Sequence, residues 1–503
     1  MILTSSAVSC NSDNSFCQTV RFVIEYTDIL IIGAGLSGVG AACRFRRDCP
    51  GKSMTILESR QTLGGTWDLF RYPGIRCDTD MYTLSYSFEP FPGQRSIADG
   101  ADILQYIRDT AKKYGVDKAI RYGHRVTHIE WSSETKRWRV TARLANDEER
   151  TFECGFLHCC SGYYKYDQGH RPNFPGEDSF QGKLIHPQNW PKDLDYGGKN
   201  VVVIGSGATA VTLVPNLATK AASVVMLQRS PSYVFSLPSE DGFYRALCRV
   251  MPRRWAYYLT RWKQIGMAML ILHKSRTEPD KVRGMLRKHA VDVLGPDYPV
   301  DVHFKPNYNP FDQRVCFMPD GDLFRALRKK TAEIVTDTIE NFTSGGIQLT
   351  SGRHLNADIV VTATGLDLLP IAGLTPVIDG VAKPVSEAFV YKGMMLSEVP
   401  NFAFVVGYTD LPWTLKADMV NQYVSRLIRY MDRRGYRECI PRQNDEAMES
   451  RPLMDITSGY ARRAAARLPH QGDRAPWKLY QHYLRDRFKL FGGKLNDDAM
   501  YFS

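Results

Sequence analysis

Two glycine-rich loops, each lying between an apolar run and a predicted helix, constrain the fold of this 503-residue chain more than any other feature. The first occupies residues 33–38 after the apolar run 28–32, and the second occupies residues 205–210 after the apolar run 200–204. A short buried strand that leads through such a loop into a helix starts a βαβ unit. The two first glycines stand 172 residues apart, which is too wide for a solenoid repeat. The pattern therefore predicts an α/β protein with two Rossmann-like dinucleotide-binding domains.

The end of the strand that follows each loop distinguishes the two predicted sites. Glu58 follows Gly38 by 20 residues, where an acid can bind a ribose hydroxyl. In the second unit the strand ends in Gln228, Arg229 and Ser230 and carries no acid. An arginine there can pair bidentately with a 2′-phosphate, which a carboxylate would repel. These ends indicate FAD in the first domain and NADPH in the second. The alternatives are a glycine turn without a ligand and a solvated strand-end Arg229.

The eleven cysteines exclude several classes of protein. They are too sparse for a disulfide scaffold and form no C-x2-C pair, so we predict neither structural zinc nor another metal site. Flavin disulfide reductases share the two-domain layout but need a redox pair of cysteines, whereas Cys43 and Cys49 are separated by five residues. Residues 1–26 are largely polar and lack an apolar core of signal-peptide length, which indicates a cytoplasmic protein.

Most of the net charge of +11 is concentrated in one segment. Residues 243–290 carry twelve Lys or Arg residues and two acids, in a helical pattern that predicts an insertion in the second domain. This segment forms either a solvated helical face or a contact with an anionic membrane surface, and charge so concentrated does not indicate nucleic acid. Its best apolar run, residues 267–272, is too short to span a bilayer. The following large side chains suit the apolar wall of a substrate channel or part of the core: Met251, Met267, Met269, Met285, Trp255 and Trp262.

Two longer motifs carry a resemblance to a known family. Residues 64–78 read G-G-x-W-x4-Y-P-G-x3-D, and residues 180–191 read F-x-G-x-x-x-H-x-x-x-W-P. The fixed positions of the second motif are Phe180, Gly182, His186, Trp190 and Pro191. With both motifs, the chain resembles the type I Baeyer–Villiger monooxygenases, which are class B flavoprotein monooxygenases. Related N-oxygenating flavin monooxygenases share the Phe, Gly and His of the second motif but usually lack its Trp-Pro ending.

The resemblance implies cofactor-binding positions residue by residue. The residues implied to bind FAD are Gly33, Gly35, Ser37, Gly38, Glu58, Gly65, Thr66, Trp67, Asp68, Leu69, Asp78 and Val126. Those implied to bind NADP are Arg76, Cys77, Asp78, Gly205, Ser206, Gly207, Ala208, Thr209, Ala210, Val211, Arg229 and Ser230. We interpret the second motif as a segment whose conformation couples movement of the second domain to the site. The alternative is that His186 only organises a linker between the domains.

Arg314 and Asp78 are the catalytic residues that the resemblance implies. Arg314 matches an arginine that stabilises the peroxide formed when dioxygen adds to the reduced flavin, and a guanidinium suits this role because it keeps its proton. Asp78 matches an acid that faces both flavin and nicotinamide, and near Arg76 and Arg314 it would hold the latter in position. Family members commonly carry lysine where this chain has Gln313, so a preference for NADPH would depend more on Arg229.

The activity implied by the resemblance is insertion of one oxygen atom of dioxygen beside a ketone carbonyl, with NADPH consumed and an ester or lactone formed. Small apolar ketones are the expected substrates, together with sulfur compounds that would be S-oxidised. One alternative is a flavin monooxygenase that acts mainly on sulfur or nitrogen. Another is a flavin-binding sensor without catalysis, although that would not require Asp78 and Arg314.

The motifs also predict a division of the chain. We expect a disordered N-terminal extension over 1–26, the FAD domain over 27–165, the NADP domain over 166–240, a helical insertion over 241–312, the return of the NADP domain over 313–375, and the second part of the FAD domain with the C-terminal region over 376–503.

Overall fold

The structure is a computed structural model that describes residues 2–5, 22–454 and 458–503. Its largest sheet has a parallel core in which Phe22–Ile32 lies between Glu149–Cys159 and Met54–Leu57. The helix Leu36–Asp48 follows the central strand and completes the first predicted βαβ unit. In order across the sheet, the strands are Val381–Ala382, Pro376–Ile378, Arg125–Ser132, Arg137–Arg143, Glu149–Cys159, Phe22–Ile32, Met54–Leu57 and Ile120–Arg121, with Ile2–Ser5 paired to Phe22–Ile32 and Phe402–Phe404 paired to Glu149–Cys159.

The central strand begins earlier than the apolar run 28–32 predicts. It starts at Phe22, because its first residues pair antiparallel with Ile2–Ser5 and its residues from Glu25 onward pair with Glu149–Cys159. Thr27 pairs with Cys154, and Glu25 pairs with Phe152. The expectation of disorder over 1–26 falls largely on residues 1 and 6–21, which lie outside the described residues.

The second sheet is fully parallel and carries the second glycine loop. Its five strands, in order, are Glu333–Thr336, Ser223–Gln228, Asn200–Ile204, Ile359–Thr362 and Lys183–Ile185. The central strand Asn200–Ile204 is buried from Val201 onward and leads into the helix Ala208–Leu217. The fold prediction of two Rossmann-like domains is therefore confirmed. Lys183–Ile185 belongs to the motif at 180–191, so this motif starts as an edge strand of the second sheet.

The predicted helical insertion is present and connects the two domains. Its long helix Arg253–Thr277 packs on the first domain, where Arg261 donates to the carbonyl oxygens of Tyr82 (2.5 Å) and Ser85 (3.0 Å). Its next helix, Pro279–Leu294, packs on the second domain. The insertion thus joins the second domain to the first as well as extending it.

The remaining regular elements cover the two sheets and the C-terminal region. The helix Trp413–Arg434 packs against Leu36–Asp48 behind the first sheet. The other helices are Thr66–Leu69, Met81–Leu84, Gly100–Lys113, Gly242–Val250, Val300–His303, Asp322–Arg328, Gly459–Ala464 and Tyr483–Gly492. The other strands are Val234–Leu237, Cys316–Pro319, Ile339–Thr343, Gly346–Leu349, His354–Asn356, Val390–Tyr391, Met395–Leu396, Cys439–Pro441, Arg451–Pro452, His470–Gln471 and Met500–Phe502. Among the described helices, none combines the length and hydropathy needed to cross a bilayer.

A buried histidine lies in the core of the first domain. His158, on Glu149–Cys159, is fully buried and donates through Nε2 to the side-chain oxygen of Asn421 (2.9 Å). Its Nδ1 has no hydrogen-bonding partner within the described part of the chain. Burial lowers the pKa of His158 to about 4, so the ring is neutral in the folded protein at neutral pH.

We predict that His158 makes the fold acid-sensitive. Between pH 6.5 and about 4 the unfolded chain binds a proton that the folded ring excludes, so stability falls as pH decreases through this window, by up to about 3 kcal/mol. Urea unfolding at pH 7.5 and pH 5 should show a smaller pH dependence for His158→Gln than for the wild type. The control His128→Gln changes an exposed histidine of the same sheet. An unchanged pH dependence in His158→Gln would contradict the assignment.

Candidate functional site

Both glycine loops lie at the carboxyl ends of central parallel strands, where α/β sheets bind ligands. Gly33 has φ +97°, and a Cβ there would lie 2.8 Å from the carbonyl oxygen of Cys160. Gly205 has φ +139°, and a Cβ there would lie 2.4 Å from the carbonyl oxygen of Ala363. Only glycine fits these two positions. Within the described structure, neither following helix has a side-chain cap, so its first N–H groups are available to an anion.

A single cavity of about 1120 Å³ is lined by both loops. Its wall also includes residues of the motif at 64–78 and the end of the strand before Arg229. The predicted site residues that line it are Gly33, Gly35, Ser37, Glu58, Gly65, Thr66, Trp67, Arg76, Cys77, Asp78, Val126, Gly205, Ser206, Gly207, Ala208, Thr209, Arg229, Ser230 and Arg314. Those outside its lining are Gly38, Asp68, Leu69, Ala210, Val211, Phe180, Gly182, His186, Trp190 and Pro191.

Several of the residues outside the lining support it from behind. A Cβ on Gly38 would lie 1.9 Å from the carbonyl oxygen of Gly33, so this glycine lets the helix approach the strand. Asp68 is buried and forms ion pairs with Arg60 (2.5 Å) and Arg71 (2.7 Å). Asp68 therefore fixes the turn beneath the cavity wall, and direct contact with a cofactor remains a prediction.

Glu58 lies in the cavity wall and stabilises the first loop. Its Oε2 accepts from the backbone N–H of Ala34 (2.8 Å), and its Oε1 accepts from that of Arg60 (2.9 Å). Burial raises the pKa of Glu58 above its ordinary value, while these hydrogen bonds act in the opposite direction. The carboxyl group thus holds the loop in position, and its binding to a ribose remains a prediction.

The structure brings Arg314 and Asp78 together, although 236 residues separate them. The Arg314 Nη1 lies 3.5 Å from the Asp78 Oδ2, and both side chains line the cavity. Desolvation opposes the charge of Arg314, but Asp78 acting together with Tyr163, Tyr164 and Tyr460 outweighs it, so the pKa of Arg314 lies well above its usual value. Arg314 is therefore a permanent cation at the junction of the two domains.

Arg76 takes a different partner from the one the sequence suggests. Instead of Asp78 it pairs with Asp322, at the start of a helix of the second domain, with Nη1 to Oδ2 at 2.5 Å. The Arg76 side chain is 7% exposed, so this is a nearly buried ion pair between the domains. Two residues earlier, a Cβ on Gly74 would overlap the side-chain amide of Asn216, another residue of the second domain.

Three aromatic residues of the cavity wall were not anticipated from the sequence. The rings of Tyr163 and Tyr164 are 4.5 Å apart, and that of Trp413 lies 5.0 Å from Tyr163. The Trp413 Nε1 donates to the hydroxyl of Ser37 in the first loop (2.7 Å). The two tyrosines follow the strand Glu149–Cys159. Because ligands bind at the carboxyl ends of parallel strands, this position could have indicated that they belong to the site. Trp413 begins a helix, and no local signal connected it to the loop.

His186 lies at the end of the edge strand Lys183–Ile185. Its Nε2 donates to the carbonyl oxygen of Gly365 (3.2 Å), and its Nδ1 accepts from the backbone N–H of Gln188 (3.2 Å). Burial lowers the pKa of His186, so the neutral ring can make both contacts. Gly365 lines the cavity, so His186 contacts the wall from outside it. A coupling role for the motif at 180–191 remains a prediction.

Comparison with known proteins agrees with this geometry. The profile of flavin-binding monooxygenase-like proteins matches residues 27–276. FAD-containing monooxygenase EthA of Mycobacterium tuberculosis (strain ATCC 25618 / H37Rv) is 49% identical over 480 residues, covering 95% of this chain and 98% of EthA. The chain belongs to the family of FAD-containing monooxygenases.

The fold of this monooxygenase also matches solved structures. A steroid monooxygenase bound to NADP aligns with a TM-score of 0.73 at 22% identity, covering 95% of this chain and 99% of the other. A cyclohexanone-bound cyclohexanone monooxygenase aligns with a TM-score of 0.67 at 20% identity, covering 83% and 89%. At these identities the likeness shows the fold, which is that of the Baeyer–Villiger monooxygenases with FAD and NADP Rossmann domains.

The Arg76–Asp322 ion pair yields a prediction about stability. Asp322→Asn leaves the nearly buried Arg76 guanidinium without its counter-charge, which should destabilise the monooxygenase by about 3 kcal/mol. The matched control is Asp292→Asn, which removes the exposed partner of Lys288 and should cost less than about 1 kcal/mol. Thermal unfolding of the three proteins measures the difference. Equal melting temperatures for both variants would show that the interdomain pair does not stabilise the fold.

Proposed function

We propose that this chain is an NADPH- and FAD-dependent Baeyer–Villiger monooxygenase that inserts one oxygen atom of dioxygen beside the carbonyl of a small apolar ketone. The observation that carries the proposal is the Arg314–Asp78 pair, at 3.5 Å, in the wall of the cavity that both glycine loops line. Membership of the FAD-containing monooxygenases supports it. The likeness in fold to a steroid monooxygenase bound to NADP and a cyclohexanone-bound monooxygenase agrees with it.

The residues of the cavity fit two dinucleotides. Its volume of about 1120 Å³ exceeds the range of about 300–1,000 Å³ that is usual for a single ligand. At the second loop, a Cβ on Gly207 would meet nothing within 4 Å, so there is open space in which a pyrophosphate can approach the backbone. Gly33, Gly35 and Ser37 would hold the FAD pyrophosphate, and Gly205 and Gly207 that of NADP.

Arg314 supplies the charge that the reaction needs. When bound, FAD supplies the redox chemistry by accepting a hydride from NADPH and activating dioxygen. Attack on a carbonyl carbon requires negative charge on the attacking oxygen, and a guanidinium stabilises that charge without giving up its proton. The carboxylate of Asp78 orients Arg314 from one side. Tyr163, Tyr164 and Trp413 give an aromatic wall that suits an apolar ketone and excludes water.

Product analysis with labelled dioxygen tests the proposal. The purified protein, loaded with FAD, is incubated with NADPH, ¹⁸O₂ and either cyclohexanone or thioanisole as a probe substrate, and the products are analysed by mass spectrometry. We expect a lactone from cyclohexanone that carries one labelled oxygen atom. Sulfoxide without lactone would instead favour a sulfur-oxygenating enzyme, and NADPH oxidation that yields only hydrogen peroxide with both probes would contradict a monooxygenase.

Removing Arg314 should separate NADPH oxidation from product formation. Arg314→Ala is expected to lower the rate of lactone formation about 10²–10³-fold, because a preorganised charge is lost, while hydrogen peroxide accounts for most of the NADPH consumed. Arg314→Lys keeps the positive charge but loses the planar guanidinium, so its rate of lactone formation should lie between those of the wild type and Arg314→Ala. The matched control is Arg463→Ala, which removes another arginine of the cavity wall that does not contact Asp78. Normal lactone formation by Arg314→Ala would exclude the assigned role.

Arg229 should determine the preference for NADPH over NADH. It lines the cavity at the end of Ser223–Gln228 and is exposed, so a phosphate can reach it. We expect Arg229→Ala to raise the KM for NADPH about tenfold to hundredfold and to leave the KM for NADH nearly unchanged, since only NADPH carries the 2′-phosphate. Steady-state kinetics with both cofactors measure this change, with Lys330→Ala as a surface control. An equal change for both cofactors would contradict the assignment.

A further inference from the structure

The long helix of the insertion is apolar on its outer face as well as its inner face. On the inner face, Ile265 and Leu272 are buried in the core of the first domain. The outer face carries large apolar side chains at helical spacing that remain exposed: Trp255, Leu259, Trp262 and Leu270, at 66%, 46%, 45% and 47%. The tryptophans are neither core nor cavity wall, so both interpretations of them from the sequence are wrong.

Two neighbouring helices extend this surface. On Gly242–Val250, Val250 is 77% exposed, and the Phe243 ring lies 5.0 Å from the ammonium of Lys263 on the long helix. On Tyr483–Gly492, Phe488 is 82% exposed, and the Tyr483 ring lies 6.1 Å from that of Trp262. We call the outward side chains of Gly242–Val250, Arg253–Thr277 and Tyr483–Gly492 the basic apolar face. Exposed apolar area of this extent marks an interaction surface.

The same face is strongly cationic. Residues 242–277 contain eight Lys or Arg residues and no Asp or Glu. Two buried carboxylates at this face are paired within the protein, Asp241 with Lys263 (2.5 Å) and Asp486 with Lys416 (3.0 Å). The more exposed Glu240 and Glu278, which flank residues 242–277, pair with Arg245 (3.2 Å) and Lys281 (2.5 Å). The exposed basic residues of the three helices are Arg245, Arg249, Arg253, Arg254, Lys274, Arg276, Arg485 and Arg487.

We propose that the basic apolar face docks this protein on the surface of an anionic lipid bilayer. Helices that lie in a membrane interface combine exposed Trp, Phe and Leu with Lys and Arg, and the cations bind anionic headgroups while the apolar side chains enter the acyl boundary. A second copy of the chain fits this face poorly. A two-fold symmetric contact would set the face against itself and bring like charges together.

The position of the face connects docking to substrate supply. The short helix Met81–Leu84 connects the long helix to the cavity, because Tyr257 donates to the carbonyl oxygen of Tyr82 (3.0 Å) and Leu84 lines the cavity. Docking would therefore hold the cavity close to the bilayer, where apolar compounds concentrate. The docking proposal itself does not depend on the oxygenation chemistry.

Vesicle sedimentation tests the proposal with the full-length, FAD-loaded protein. We expect binding to vesicles of phosphatidylcholine with phosphatidylglycerol at about 0.1 M salt, and at least tenfold weaker binding to pure phosphatidylcholine or at about 1 M salt. Bound protein should also show a blue shift of tryptophan fluorescence, since Trp255 and Trp262 leave water. Equal binding to both lipid compositions, or none to either, would overturn the proposal.

Two pairs of variants separate the contributions of charge and apolar surface. Arg249→Gln/Arg253→Gln/Arg254→Gln should weaken binding about hundredfold, because each basic residue near an anionic surface contributes about fivefold. The charge-matched control Arg143→Gln/Lys329→Gln/Lys330→Gln lies on other surfaces and should bind like the wild type. Trp255→Ser/Phe488→Ser should weaken binding at least tenfold, whereas Val302→Ser/Val381→Ser, which also removes exposed apolar side chains, should not.

Two further measurements make the outcome unambiguous. NADPH oxidation in vesicle-free buffer should be equal in all variants, which shows that they fold and bind FAD. Sedimentation-velocity experiments should show no change of oligomeric state between the wild type and Trp255→Ser/Phe488→Ser. A wild-type oligomer that dissociates in this variant, without vesicle binding, would assign the face to self-association and overturn the membrane proposal.

Discussion

The contact between the segment around Arg76 and the second domain fixes the geometry on which the candidate site depends. Arg76 belongs to the chain of the first domain, yet it pairs with Asp322 of the second, and Phe70 and Tyr72 pack in the core of the second. Gly74 permits this close approach because no Cβ separates it from Asn216. As a consequence, the carboxyl ends of two independent parallel sheets open into one cavity. Asp78 follows Arg76 by two residues and is thereby held opposite Arg314.

The insertion forms a second bridge between the domains. Its first long helix uses buried polar contacts from Tyr257 and Arg261 to attach to the first domain. Its second helix attaches to the other domain, where the ring of His289 lies 4.4 Å from that of Phe235. The connection between them, near Glu278, is therefore where the insertion passes from one domain to the other. Together with the Arg76–Asp322 pair, it sets how the two domains meet.

The parts of the site that depend on local backbone geometry could be predicted from the sequence. Gly33 and Gly205 could be recognised in the sequence, because a tight turn after a buried strand has no space for a side chain. Contacts between distant parts of the chain carry no such signal: the partner of Arg76 and the contact of Trp413 with Ser37 emerge only in three dimensions. Arg314 and Asp78 could be paired in advance only through a resemblance to a family. The spacing of apolar residues around Trp255 could not tell an outer face from an inner one, since the long helix carries large apolar side chains on both.

We propose that both dinucleotides bind in the cavity that the two glycine loops line, so that NADPH reduces the FAD bound to the same chain. Rapid anaerobic mixing of the FAD-loaded protein with NADPH, followed by the loss of the flavin's visible absorbance, tests it most directly. We expect complete bleaching by one equivalent of NADPH per chain, at a rate that does not change when the protein is diluted. Absence of bleaching, or a rate that falls in proportion to protein concentration at saturating NADPH, would contradict it.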